Sequence, residues 1–123
     1  MKVDVAEEIA RRWWEDVWEL GDFDALDDLL TDPFTRHTSA GTIVAPVADY
    51  KHVLRSVQRS IHRPHTTIDD RHIDPTRIWT RATSRGLDLD SGRQVILSWL
   101  LVQRIADGRI PEQWVLTARD IEW

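Results

Sequence analysis

The chain of 123 residues carries five histidines, one tyrosine and no cysteine, so proton transfer and charge stabilisation are open to it and thiolate chemistry is not. His37 ends the short run Phe34-Thr35-Arg36-His37-Thr38. Its imidazole can take a proton near neutral pH with little tuning; the plain alternative is a histidine satisfied at a strand end by a carboxylate or a carbonyl. Arg85 and Asp88 flank Gly86 and Leu87. An Arg beside a carboxylate can polarise a water or hold an enolate, and the same two residues would equally form a surface ion pair of small energetic weight. Asp120 follows Trp114 by six residues and shares its face under strict strand alternation; a solvated carboxylate near the C-terminus is the competing reading. Tyr50 is the one phenol.

His62, His65, Asp69, Asp70 and His72 invite a metal reading that their spacing does not support. Pro64 breaks any helix between the first two. His65 and His72 point to opposite faces of an ideal strand, which leaves Asp70 and His72 as only two ligands on one face. No metal or other cofactor is expected. The chain also lacks a Gly-rich phosphate loop, a Gly-x-Ser-x-Gly elbow and a basic patch interleaved with aromatics.

Seven tryptophans, at positions 13, 14, 18, 79, 99, 114 and 123, set this composition apart. They suit a Trp-rich core, or a cavity wall for a flat or greasy molecule. With 41% hydrophobic and 30% charged residues the chain reads as a single globular domain over 1–123. A net charge of −5 disfavours a nucleic-acid surface. No apolar run suggests a membrane span or a secretion signal, so neither a membrane partner nor export is expected and the expected setting is cytoplasmic.

The elements that must position these residues follow from periodicity. Val5 to Leu20 reads as a helix, with Val5, Ile9, Trp13 and Val17 beside Ala6, Ala10, Trp14 and Trp18 as a wide apolar stripe. Gly21 stops it. Asp22 is placed to cap a short second helix through Leu30, ended by Asp32-Pro33. Phe34 to Thr38 is extended, and Ser39-Ala40-Gly41 is a turn. A third helix runs from Pro46 or Val47 to Ile61. His65 to Ile73 reads as a polar edge strand and Ile78 to Leu89 as another strand. Gln94 to Ile105 and Arg109 to Leu116 form a hairpin about Asp107-Gly108. The first hairpin strand is apolar on both faces, from Ile96 to Val102, and so must be covered twice. Helices gathered before a run of antiparallel strands make the class α+β.

Several motifs then resemble one family. Gly21-Asp22-Phe23-Asp24-Ala25, Asp32-Pro33-Phe34-Thr35-Arg36-His37, the Arg81 to Gly86 pattern Arg-x-x-x-x-Gly, and the Arg104 to Trp114 hairpin resemble the NTF2-like α+β cone superfamily, in its SnoaL-like polyketide cyclase branch. The resemblance implies three N-terminal helices packed on a curved, mainly antiparallel sheet, forming a cone with an internal pocket. It implies a homodimer through the outer sheet face. It places His37 where relatives keep a general base in the pocket, with Asp120 or the Arg85/Asp88 pair assisting. Trp14 falls where steroid-isomerase relatives place a tyrosine, and an indole there can bind and orient but not act as an acid. Trp14, Trp18, Tyr50, Trp79, Trp99 and Trp114 would form the substrate walls. The implied activity is cofactor-independent cyclisation, isomerisation or dehydration of a polyketide- or steroid-like hydrophobe. The alternative is a non-catalytic binding or dimerisation module in the same fold.

Overall fold

The Asp-Gly pair turns the chain as its chemistry demands. Asp107 and Gly108 both take positive φ, 53° and 74°, and Ala106 faces Arg109 across the turn. In the computed structural model, which describes residues 3–123, the helical elements are α1 (Val3–Arg11), continued by a π-helical stretch Arg12–Glu19, then a 3-10 turn Phe23–Ala25 leading into α2 (Leu26–Leu29), and α3 (Val47–Ser60). The strands are β1 (Leu30–Thr38), β2 (Gly41–Ala45), β3 (His62–Asp74), β4 (Arg77–Leu87), β5 (Gln94–Ala106) and β6 (Arg109–Arg119). They form one six-stranded sheet of order β2-β1-β6-β5-β4-β3. Register shifts in β1, β3 and at the end of β5 bend the ladder around the helices.

Three details depart from the periodicity reading. The strand Gly41–Ala45 occupies a stretch where no strand was expected, and its mostly exposed residues carry no inward apolar row to announce it. β1 pairs parallel with β6, so the sheet is mixed, although every other pairing is antiparallel. Asp22 makes no side-chain cap on the turn that follows it. It is Asp32 that caps, its Oδ1 accepting the Val47 N–H at the start of α3 at 3.3 Å.

The π-helical stretch explains how two adjacent tryptophans are both buried. Its wider turn, with the Leu20 N–H reaching the Glu15 carbonyl at 2.9 Å, brings Trp13, Trp14, Val17 and Trp18 onto the inner face together. Trp99 from β5 meets them edge-on, with ring centroids 5.9 Å from Trp13, 5.3 Å from Trp14 and 4.8 Å from Trp18. Two of the indoles are anchored at one hydroxyl. Trp18 and Trp99 each donate an N–H to Ser84 Oγ at 3.0 Å, and Trp18 is shared with Thr66 Oγ1, itself 2.7 Å from Ser84. Ser84 is fully buried on β4. Nearby, a side chain at Gly86 would stand 2.8 Å from the His62 carbonyl oxygen, which is why the close approach of β3 and β4 needs glycine there.

Ser84→Ala removes the acceptor shared by two buried indoles. The expected cost is about 1–3 kcal/mol in urea unfolding; a loss below about 0.5 kcal/mol would show that the shared hydroxyl contributes nothing.

Candidate functional site

A cavity of about 200 Å³ lies between α3 and the concave face of the sheet. Alternation decides what reaches it. On β1, Phe34 is an inward apolar anchor, so Arg36 and Thr38 share its face and His37 does not. On β6 the inward row is Val115, Thr117 and Arg119; on β5 it is Leu97 and Trp99. The i, i+3, i+4 and i+7 positions of α3, Tyr50, Val53, Leu54 and Val57, close the other side, with Ser60 and Ile61 at the helix end and Ser39 from the β1–β2 turn. The wall is apolar except for hydroxyls and two guanidinium groups, and it includes no carboxylate and no imidazole.

Arg36 is the polar centre of this wall. It is 8% exposed, and its Cζ lies 4.9 Å from the centroid of the Tyr50 ring. Among the described residues it makes no side-chain hydrogen bond, and no carboxylate oxygen comes within 4.0 Å of it. Tyr50 is 5% exposed and accepts a 3.1 Å hydrogen bond from the Gln113 amide, which in turn accepts from Gln103 at 3.4 Å. In this amide orientation the phenol's lone pair is occupied and its proton is left to donate. Burial pushes the phenol up to about 12, against smaller lowering by the Gln113 hydrogen bond and the Arg36 charge. Tyr50 therefore remains a neutral donor throughout the physiological range.

Arg119 is a different kind of cation. Its Nη2 pairs with Asp88 Oδ2 at 3.0 Å and its Nη1 donates to the Ser60 carbonyl at 3.3 Å. The backbone N–H of Asp90, foremost, then that of Ser91 and then the charge of Arg119 hold the Asp88 carboxyl below the usual carboxylate range. Asp88 thus serves as the anchor of a cavity-lining arginine rather than as a lining residue.

The other expected site residues lie elsewhere. His37 is on the outer face of the sheet, its ring stacked on Trp114 at 5.0 Å and its nitrogens 2.6 Å from Glu112 Oε2 and 2.8 Å from Thr42 Oγ1. The expectation that it faces the cavity fails by one residue of strand parity. Hydrogen bonding by His37, then by Arg104, lowers the Glu112 carboxyl. Arg85 also points outward and pairs with Glu122. Asp120 leaves the strand alternation at φ 60°, donates its N–H to the Ile96 carbonyl, and is exposed outside the cavity. Trp14 and Trp18 are packed core and do not line this cavity, although Trp14 borders a separate pocket between the first helical segment and β3; Trp79 and Trp114 lie on the outer face, and of the expected wall residues Tyr50 and Trp99 line the cavity. The histidine cluster is dispersed: His65 meets Glu19, Asp69 accepts from Thr83, and His72 leans on Trp79. Among the described residues no group of three or more His, Asp or Glu side chains is set to hold a metal ion. Arg36, Arg119 and Gln113 were overlooked, though parity with Phe34 was enough to direct Arg36 inward.

A family model for the SnoaL-like domain matches residues 10–113. The chain belongs to the SnoaL-like domain family. Solved structures share its fold at low identity. A SnoaL-like polyketide cyclase from Agrobacterium tumefaciens is 17% identical, covering 91% of this chain and 90% of that one, with a TM-score of 0.75. An NTF2-like protein from Anabaena variabilis is 17% identical over 96% and 92% of the two chains, with a TM-score of 0.76. An LEH-like epoxide hydrolase from M. tuberculosis is 18% identical over 94% and 84%, with a TM-score of 0.73. No curated protein matches the sequence. Among the described residues this SnoaL-like chain has no helix long and apolar enough to cross a membrane.

The single tyrosine of this SnoaL-like domain makes its environment directly measurable. A phenol raised in the folded state stabilises the fold fully below the unfolded value near 10, and that contribution is lost as pH rises from about 10 through about 12. Ultraviolet titration is expected to show ionisation near 12 that drops to about 10 on unfolding. Tyr50→Phe is expected to flatten the alkaline fall in stability, a difference of roughly 2–3 kcal/mol across that window.

Proposed function

We propose that this SnoaL-like domain binds a small, largely apolar molecule of about one ring in the cavity between α3 and the sheet, without a cofactor. The observation that carries this reading is the cavity wall itself. Val53, Leu54, Val57, Leu97, Trp99 and Val115 surround a few fixed donors, the composition of a small-molecule site. The volume, about 200 Å³, sets the scale. A cavity of about 150 Å³ takes a benzene ring, so a monocyclic or short-chain group fits within it.

A second reading, cofactor-independent cyclisation, isomerisation or dehydration, is favoured by the donors. Arg36 and the neutral Tyr50 phenol are suited to hold an oxyanion or polarise a carbonyl. In that case the domain acts by folding its substrate and stabilising an enolate, with the proton accepted by water or by the substrate, since no carboxylate or imidazole lines the wall.

The outer sheet face supports a homodimer. Leu100, Leu116, Trp79 and Trp114 are between 37% and 52% exposed there, flanked by acidic and basic side chains of both signs. A two-fold axis would set this patch against the same patch of a second copy, and such a contact would give the second cover that the two-faced apolar strand β5 requires.

Leu54→Trp is expected to fill the cavity and abolish binding of one-ring probes such as phenylacetamide, followed by ligand-observed NMR; unchanged binding would place the site elsewhere. Leu100→Arg combined with Trp114→Arg is expected to halve the mass in light scattering while leaving the fold intact. A wild-type protein that is already monomeric would remove the dimer.

A further inference from the structure

The charge balance of the cavity names the ligand's head group. Arg36 is more than nine-tenths buried, lines the cavity, and among the described residues has neither a hydrogen bond nor a carboxylate partner. A buried charge is costly unless something of opposite sign meets it. The ring of Tyr50 beneath the guanidinium supplies part of the compensation through its π face, but leaves the N–H fork empty. The rest of the wall adds no negative charge. The other cation, Arg119, is already held by Asp88 and the Ser60 carbonyl, and the hydroxyl of Tyr50 has its lone pair taken by Gln113. The polar wall around Arg36 thus offers a planar N–H fork and a phenol proton, both without acceptors.

We propose that the cavity receives a carboxylate, carried on a one-ring or short-chain apolar acid. The guanidinium of Arg36 takes it side-on through two N–H donors, the geometry that matches a planar carboxylate. The Tyr50 phenol donates to the same group, and the apolar side chains of α3 and β5 take the ligand's body. This inference rests on the reading of the cavity as a small-molecule site and specifies its chemistry.

The test pairs acids with their neutral amides. Binding of phenylacetate and hexanoate is compared with that of phenylacetamide and hexanamide by calorimetry or NMR titration, on wild type, Arg36→Met and Arg36→Lys. The expected result is that wild type binds the acids at least about tenfold more tightly than the amides, roughly the difference of one charge-assisted pair. Arg36→Met is expected to bind acid and amide within about twofold of each other, and Arg36→Lys to keep a reduced preference, because it retains the charge without the fork. Equal binding of acid and amide by wild type would overturn the carboxylate while leaving the cavity reading intact. Amide binding with no acid binding would do the same. A preference for acids that survives Arg36→Met would overturn the role of Arg36. Absence of binding by all four probes would overturn both the inference and the cavity reading on which it rests. Retention of the Trp signal in near-ultraviolet circular dichroism verifies that both variants keep the native core.

Discussion

The edge-to-face meeting of Trp99 with Trp13, Trp14 and Trp18 is the contact on which the rest of this molecule depends. It joins the first helical segment to the centre of the sheet, and it does so with fixed geometry, because two of the indoles share Ser84 Oγ as acceptor. Large flat side chains fill volume at little conformational cost, so a few of them can close one end of a curved sheet. That closure has a consequence for function. The tryptophans fill the space between the first helical segment and the centre of the sheet, and the cavity beneath α3 is bordered by Trp99. The core and the cavity are therefore two parts of one packing solution, divided at a single residue of β5.

Polar groups are distributed over the two faces of the sheet by the same parity that shapes the core. Odd and even positions of β1 separate Arg36 from His37, and those of β6 separate Gln113 from Glu112 and Trp114. The outer face receives the titratable cluster of His37, Glu112 and Arg104, with its hydrogen bonds and ion pairs satisfied. The inner face receives Arg119, Gln103, Gln113 and Trp99, whose donors meet acceptors, and Arg36, which among the described residues has none. A cluster that is mutually satisfied is chemically quiet, whereas a cation without an acidic partner keeps its hydrogen-bond donors open. Asp88 belongs to the first kind, since it fixes Arg119 in place from outside the cavity.

Much of this was legible in the residues. The amphipathic rows of Val5 to Leu20, the stop at Gly21, the third helix and the Asp107-Gly108 hairpin are local signals, and local signals survive folding. Strand β2 carries no inward apolar row, and the parallel pairing of β1 with β6 is non-local, so neither leaves a mark in a short window. The π-helical widening that buries both Trp13 and Trp14 follows from tertiary packing rather than propensity. The site was misread for a simpler reason. Family likeness pointed to His37, while the chain's own alternation, counted from Phe34, pointed to Arg36. A one-residue difference in parity exchanges the two faces of a sheet completely.

On the proposal made above, Arg36 is kept for a ligand rather than for the fold, and the stability of the empty protein is the measurement that decides it. Arg36→Met replaces a guanidinium that faces the cavity, with no acidic partner among the described residues, by an apolar chain of similar length. If the charge awaits a ligand, urea unfolding of the ligand-free variant will show stability unchanged or raised by about 1–2 kcal/mol, the outcome expected when an uncompensated buried charge gives way to packing. A loss of more than about 2 kcal/mol would exceed what the Tyr50 contact alone supplies. Such a loss would mean that Arg36 is already compensated within the folded chain and is not kept for a ligand.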